Sequence, residues 1–85
     1  MKVLHIIREL KDNWPLELAK MQQGKGNEVA VLLLHDAVLS RPPKGFKVFA
    51  SRDDVRARGV ESEAAQVDYE AIVELIFTND SVSCW

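Results

Sequence analysis

Short apolar runs alternate with amphipathic stretches along this chain, and the alternation predicts the order of its elements. Val3-Leu4-His5-Ile6-Ile7 is a β-branched run and reads as a buried first strand. Asn13 is placed to cap a helix that carries Pro15 in its first turn, where a missing N–H costs little. Trp14, Leu18 and Met21 share a face of that helix, and Gly24 and Gly26 end it. Glu28 to Leu34 is nearly all apolar, the pattern of a strand buried on both faces of a parallel sheet. His35 to Lys44 leaves that strand, and Pro42-Pro43 blocks regular structure there.

Gly45 opens a third strand, Phe46 to Ala50. Ser51-Arg-Asp-Asp54 is a capping box in acidic form, starting a short helix that stops at Gly59. Ala64 to Val67 reads as a brief strand. Asp68 caps a helix carrying Ala71, Ile72, Leu75 and Ile76 on one side. Asn79-Asp80 is a turn, and Ser81 to Trp85 a final short strand. Strands alternating with helices in this way predict an α/β fold. The expected form is a three-layer α/β/α sandwich with a small, mostly parallel sheet of about four to five strands.

Length and composition narrow the classes. At 85 residues the chain suits one domain over residues 1–85 and not two. A chain of this size buries only about 60–65% of its unfolded surface, so its own core is thin, and a partner surface is one way to complete it. An apolar fraction of 47% and a charged fraction of 28% are those of an ordinary soluble protein. The longest aliphatic run, Val29 to Leu34, is far short of the roughly 20 residues that cross a bilayer, so no membrane association is expected. His5, Arg8 and Glu9 interrupt any signal-peptide stretch. The single cysteine, Cys84, excludes an intramolecular disulfide and a Cys₂ or Cys₄ zinc site. A small fold without a disulfide staple suits a reducing cytoplasm.

Charge is unevenly distributed. Residues 1–40 are balanced, residues 41–60 carry six basic and two acidic side chains, and residues 61–85 carry six acidic ones with no Lys or Arg. The simplest reading is solvated surface, but the layout could also steer a partner of matching pattern. A pI of about 5.6 argues against direct nucleic-acid binding.

In open α/β sheets ligands bind beyond the carboxyl ends of the strands. Three segments end there: the residues after Ile7, His35-Asp36 after the second strand, and Ser51-Arg52 after the third. His35 and Asp36 could act as a base and its orienting carboxylate, although neighbouring residues on a strand point to opposite faces, and a polar loop start is the plainer account. His5, inside an apolar strand, reads as a buried, hydrogen-bonded histidine rather than a ligand. Two histidines without a ligand cluster make a metal site or a cofactor unexpected. Ser51 reads as a helix cap, since no Gly-x-Ser-x-Gly elbow surrounds it. Arg52 and Arg56 share a helix face and could hold an anion or a partner, while Arg58 points elsewhere. Cys84 is the only sulfur nucleophile available. It sits in an acidic tail without a nearby cation, a poor setting for a thiolate. Trp85 is either packed on the sheet or part of an interface.

The stretch Phe46-Lys-Val-Phe-Ala-Ser-Arg-Asp-Asp-Val-Arg-Ala-Arg-Gly-Val60 resembles the DsrH/TusB family of sulfur-relay proteins, with its strand, acidic helix start and Ala-Arg-Gly ending. Other similarities lie in order along nearly the whole chain: Leu4-His5, Trp14 before the first helix, Leu32-Leu33-Leu34-His35-Asp36-Ala37-Val38, Asp68-Tyr69-Glu70-Ala71-Ile72-Val73-Glu74-Leu75, and the Ser83-Cys84-Trp85 end. The resemblance implies a small subunit of a cytoplasmic sulfurtransferase complex. There, DsrE/TusD-like and DsrF/TusC-like partners join it in a heterohexamer, and sulfur passes as a persulfide between cysteines. Such complexes serve 2-thiolation of wobble uridine in tRNA processing, or sulfur oxidation. In the carrier paralogues a cysteine occupies the turn after the third strand. Here that turn is Ala50-Ser51, and Glu17 to Gln23 also lacks the cysteine that some members carry near the first helix. The resemblance therefore implies a cysteine-less, non-catalytic subunit. The alternatives are a sulfur acceptor using Cys84, or a stand-alone homo-oligomeric module that binds an anion at Arg52 and Arg56.

Overall fold

The uninterrupted apolar runs become the two central strands, because a strand with neighbours on both sides and helices on both faces has no wet surface to show. In the computed structural model, which describes residues 1–9 and 14–85, β1 spans Lys2–Ile7 and β2 spans Glu28–Leu33. Helix α1 (Trp14–Gly24) links them. A short 3₁₀ helix, His35–Leu39, follows β2, and then come β3 (Lys47–Ser51), α2 (Arg52–Arg58), β4 (Ala65–Val67), α3 (Tyr69–Thr78) and β5 (Ser81–Cys84). All strands are parallel, in the order β4-β3-β2-β1-β5. The fold is a three-layer α/β/α sandwich around one five-stranded sheet.

The layers follow from connectivity. Crossovers between parallel strands keep one hand. Steps from β1 out to β4 therefore put α1, the 3₁₀ helix and α2 on one face. The return from β4 to β5 puts α3 on the other. Alternation along the strands sorts the side chains accordingly. Ile7, Val31, Leu33, Ala50 and Val55 pack in the first-face core, with Ala37 and Val38 of the 3₁₀ helix closing it. Val3, Ala19 and Val29 extend it toward the amino ends of the strands. The second face buries Leu4, Ile6 and Leu32, with Ile72 and Leu75 of α3 half-buried against them.

The side-chain caps expected at Ser51 and Asp68 are formed, but the Asp54 carboxylate, the other half of the capping box, accepts the His35 N–H and pairs with Arg58. Ser51 Oγ accepts the Asp54 N–H at 3.5 Å, and Asp68 Oδ1 accepts the Ala71 N–H at 2.9 Å. Gly59 ends α2 in the left-handed region at φ 61°, which glycine adopts without steric cost. The cap expected at Asn13 lies outside the described residues. Two helix faces differ from expectation. In α1, Trp14 and Met21 are exposed, and the stripe turned inward is Pro15 and Ala19 with the half-buried Gln22. Small residues are needed there so that the helix comes close enough for Gln22 to reach a buried polar group. In α3, Ile72 and Leu75 face the sheet, whereas Ile76 stays partly exposed. The segment after β2 also forms the 3₁₀ helix, which was expected to be irregular.

Candidate functional site

The carboxyl ends of the strands are tied together by backbone bonds that run past the strands themselves. Leu34 N–H donates to the Ile7 carbonyl at 2.9 Å, Ala37 N–H to Arg8 at 3.0 Å, and Trp85 N–H to Ile6 at 2.9 Å. The end of β1 is thus pinned between the turn after β2 and the end of β5. Beside β1 the strand order reverses, and this is where open α/β sheets leave a crevice. A cleft of about 630 Å³ opens there, lined by Arg8, Glu9, Trp14, Pro15, His35, Asp36, Arg58 and Trp85. Its size is that of a small-molecule or side-chain binding site.

Under the cleft lies the buried histidine of β1. His5 is fully buried, with its Nε2 2.6 Å from Gln22 Oε1 of α1. Its Nδ1 accepts the indole N–H of Trp85 at 3.1 Å, and the two rings stack with centroids 6.2 Å apart. Because Trp85 can only donate, the imidazole proton sits on Nε2 and is given to Gln22. Both ring nitrogens are therefore committed, leaving neither for a metal. Among the described residues no cluster of three His, Cys, Asp or Glu side chains is arranged to hold a metal ion. The same contacts fix Trp85, half-buried, as one wall of the cleft. Arg8 Nε adds a bond to the Trp85 carbonyl at 3.3 Å.

The opposite wall is set by α2. His35 has a left-handed backbone at φ 50°, uncommon for any residue with a Cβ. Its N–H is held by Asp54 Oδ2 at 3.0 Å, so the carboxylate of the capping sequence serves the neighbouring turn as well as its own helix. Arg58, one turn after Asp54, bonds Asp36 Oδ1 at 3.1 Å and Asp54 Oδ1 at 3.4 Å. His35 and Asp36 are thereby presented to the cleft as a pinned corner. The Asp36 carboxylate is engaged by Arg58, so its recorded partner is a cation rather than the adjacent imidazole.

The sequence-derived residues separate into two groups. His35, Asp36 and Trp85 meet at the cleft. Ser51 is buried and occupied as the α2 cap, and Arg52 and Arg56, half-buried and exposed, lie outside the cleft lining. The arginine that reaches the cleft is Arg58, because it shares the α2 face with Asp54 at i,i+4 spacing, and that face looks toward the 3₁₀ helix. Glu9, Trp14 and Pro15 were not singled out as site residues by sequence. The strand-end rule pointed to the segment after Ile7 as a whole. Cys84 pairs in register with Ile6, whose side chain belongs to the α3 face, so the thiol is exposed on the side of the sheet away from the cleft. No family model and no curated protein matches the chain.

Proposed function

We propose that the chain is a non-catalytic subunit of a cytoplasmic TusBCD- or DsrEFH-like sulfur-relay complex, where it shapes the approach to a partner's persulfide. The observation that carries this reading is a strand-end cleft built without sulfur. Its lining combines two indoles, two arginines, two carboxylates and an imidazole. The turn in which the resemblance places a carrier cysteine holds Ser51, buried and bonded into a helix cap. A hydroxyl cannot form a persulfide, because that bond requires a thiolate sulfur. The cleft can still seat a partner's loop, whose polar groups would meet a balanced lining of two arginines and two carboxylates, with Arg58 held in place by Asp36 and Asp54. In this role His35, Asp36 and Arg58 position rather than react. No cofactor enters the reading.

The test is co-expression with DsrE/TusD-like and DsrF/TusC-like subunits followed by sulfur transfer in the reconstituted complex. A stable complex is expected, with transfer that survives Cys84→Ser and falls with Arg58→Ala. Isolation of the chain only as a homo-oligomer in the presence of those partners would sink the proposal. The exposed thiol of Cys84 favours one other reading, a sulfur acceptor. Incubation with a persulfide donor would then add one sulfur by intact mass, and Cys84→Ser would abolish the adduct.

A further inference from the structure

Helix α3 carries more apolar surface than the sheet beneath it can use. Seven of its ten residues are apolar, yet none is fully buried. Ile72 and Leu75 face the sheet. Tyr69, Val73, Ile76 and Phe77, at positions i, i+4, i+7 and i+8, form a second stripe on a different side of the helix. Within that stripe Phe77 is 83% and Tyr69 74% exposed.

The direction of this stripe follows from the helix rotation of about 100° per residue. The flank carrying Ala71, Glu74 and Thr78 borders a groove with Phe49 of β3 and Val67 of β4. The Tyr69–Phe77 stripe lies across the helix from that flank, which turns it toward β5. There the sheet is uncovered. Val82 and Cys84 pair in register with Leu4 and Ile6, so they project from the α3 face, and both are exposed. β5 is also the end strand of the sheet, paired only with β1 among the described residues. Its sequence, Ser-Val-Ser-Cys, contains neither Lys nor Pro, the residues that commonly protect an edge.

We infer that the corner between α3 and β5 is a docking surface for a basic protein partner that adds a strand to β5 and covers the Phe77 stripe. The occupant is chosen by charge. Residues 61–85, which supply both α3 and β5, hold six carboxylates and no Lys or Arg, and Lys2, bonded through its N–H to Asp80, and Arg8, at the Trp85 carbonyl, offset only part of that charge. A second copy placed across the edge would bring acid against acid, whereas a strand flanked by Lys or Arg meets complementary charge. Main-chain bonds to β5 would give affinity, and the apolar corner would give specificity. This deepens the reading of the chain as one subunit of an assembly and rests on it for the partner's identity.

The experiment is a titration of the ¹⁵N-labelled full chain with two synthetic strand peptides, Lys and Val alternating in one, Glu and Val alternating in the other. The expected result is amide shifts at residues 81–84 and along the Tyr69–Phe77 stripe with the basic peptide only, and binding roughly tenfold weaker in Phe77→Ser. Phe77 is too exposed for this change to threaten folding. Absence of shifts at β5, equal shifts from the acidic peptide, or a Phe77-dependent homodimer in sedimentation would each overturn the inference. A null titration removes the corner and leaves the sulfur-relay proposal standing. Failed co-purification removes that proposal and leaves the titration intact.

Discussion

Replacing Trp85 by Phe isolates one hydrogen bond across a separation of 80 residues. The substitution keeps an aromatic ring against His5 and removes the indole N–H that His5 Nδ1 accepts at 3.1 Å. His5 is fully buried, so water cannot replace the lost donor without opening the core. An orphaned buried acceptor costs about 1–3 kcal/mol. For a domain of this size each kcal/mol lowers Tm by about 4–8 °C, so the loss is readily measured. Reduced ring area contributes as well, and a double-mutant cycle removes that part. In a His5→Leu background the acceptor is already gone, and Trp85→Phe should then cost only the difference in ring burial, below about 1 kcal/mol. Urea denaturation of the four proteins, followed by far-ultraviolet circular dichroism, gives the coupling directly. Equal cost of Trp85→Phe in both backgrounds would refute the argument, because it would mean that the indole N–H contributes nothing to holding His5.

Three further outcomes are expected. His35→Gly should leave thermal stability unchanged or raise it, since glycine adopts φ 50° freely, whereas His35→Val should lower it by about 1–2 kcal/mol, because a β-branched residue disfavours that region; a scanning calorimeter distinguishes the two. Asp68→Ala removes the bond to the Ala71 N–H and should cost about 1 kcal/mol in urea denaturation, with Asp68→Asn or Asp68→Ser recovering most of it. In a Ser51→Cys, Cys84→Ser protein the single thiol should resist a disulfide reagent until denaturant is added, because position 51 is buried, whereas Cys84 in the unaltered chain should react at once.

What could be read from sequence follows from which signals are local. β1 and β2 stand out because the apolar stretches within them, Val3 to Ile7 around the buried His5 and Val29 to Leu33, have no other comfortable place in a small α/β protein. The start of α2 and the start of α3 are legible because Ser51 and Asp68 satisfy donors only three residues away. The carboxyl-end location of the cleft follows from topology alone. The inner face of α1 was not legible in the same way, since it depends on what the sheet presents beneath it. A buried histidine calls for Gln22, and Gln22 brings Pro15 and Ala19 inward with it. α3 is ambiguous for the opposite reason: with apolar residues on two flanks, pattern alone cannot say which one meets the sheet. Arg58 could not be assigned to the cleft before the 3₁₀ helix was placed, because its partner Asp36 sits on that helix. The His5–Trp85 pair joins opposite ends of the sequence, and no spacing rule links them.

The two faces of the sheet explain why one chain can have both a finished site and an unfinished surface. On the first face, three helical segments cover the sheet, and most fully buried apolar residues among those described lie there. That closed packing lets the cleft be rigid: His35 can hold a strained backbone only because Asp54 and Arg58 are themselves anchored in α2, which Val55 seats on the sheet. Among the described residues the second face has a single helix over five strands, and its core buries Leu4, Ile6 and Leu32. A helix placed near the middle must leave strands bare on one or both sides, and here the bare strand toward the α3 stripe is the sheet edge itself. Stability and pocket geometry thus draw on one face, while the apolar area left for association lies on the other. Substitutions at Phe77 or Val82 should therefore alter binding at the α3–β5 corner without changing the cleft, and substitutions at Arg58 should change the cleft without altering that corner.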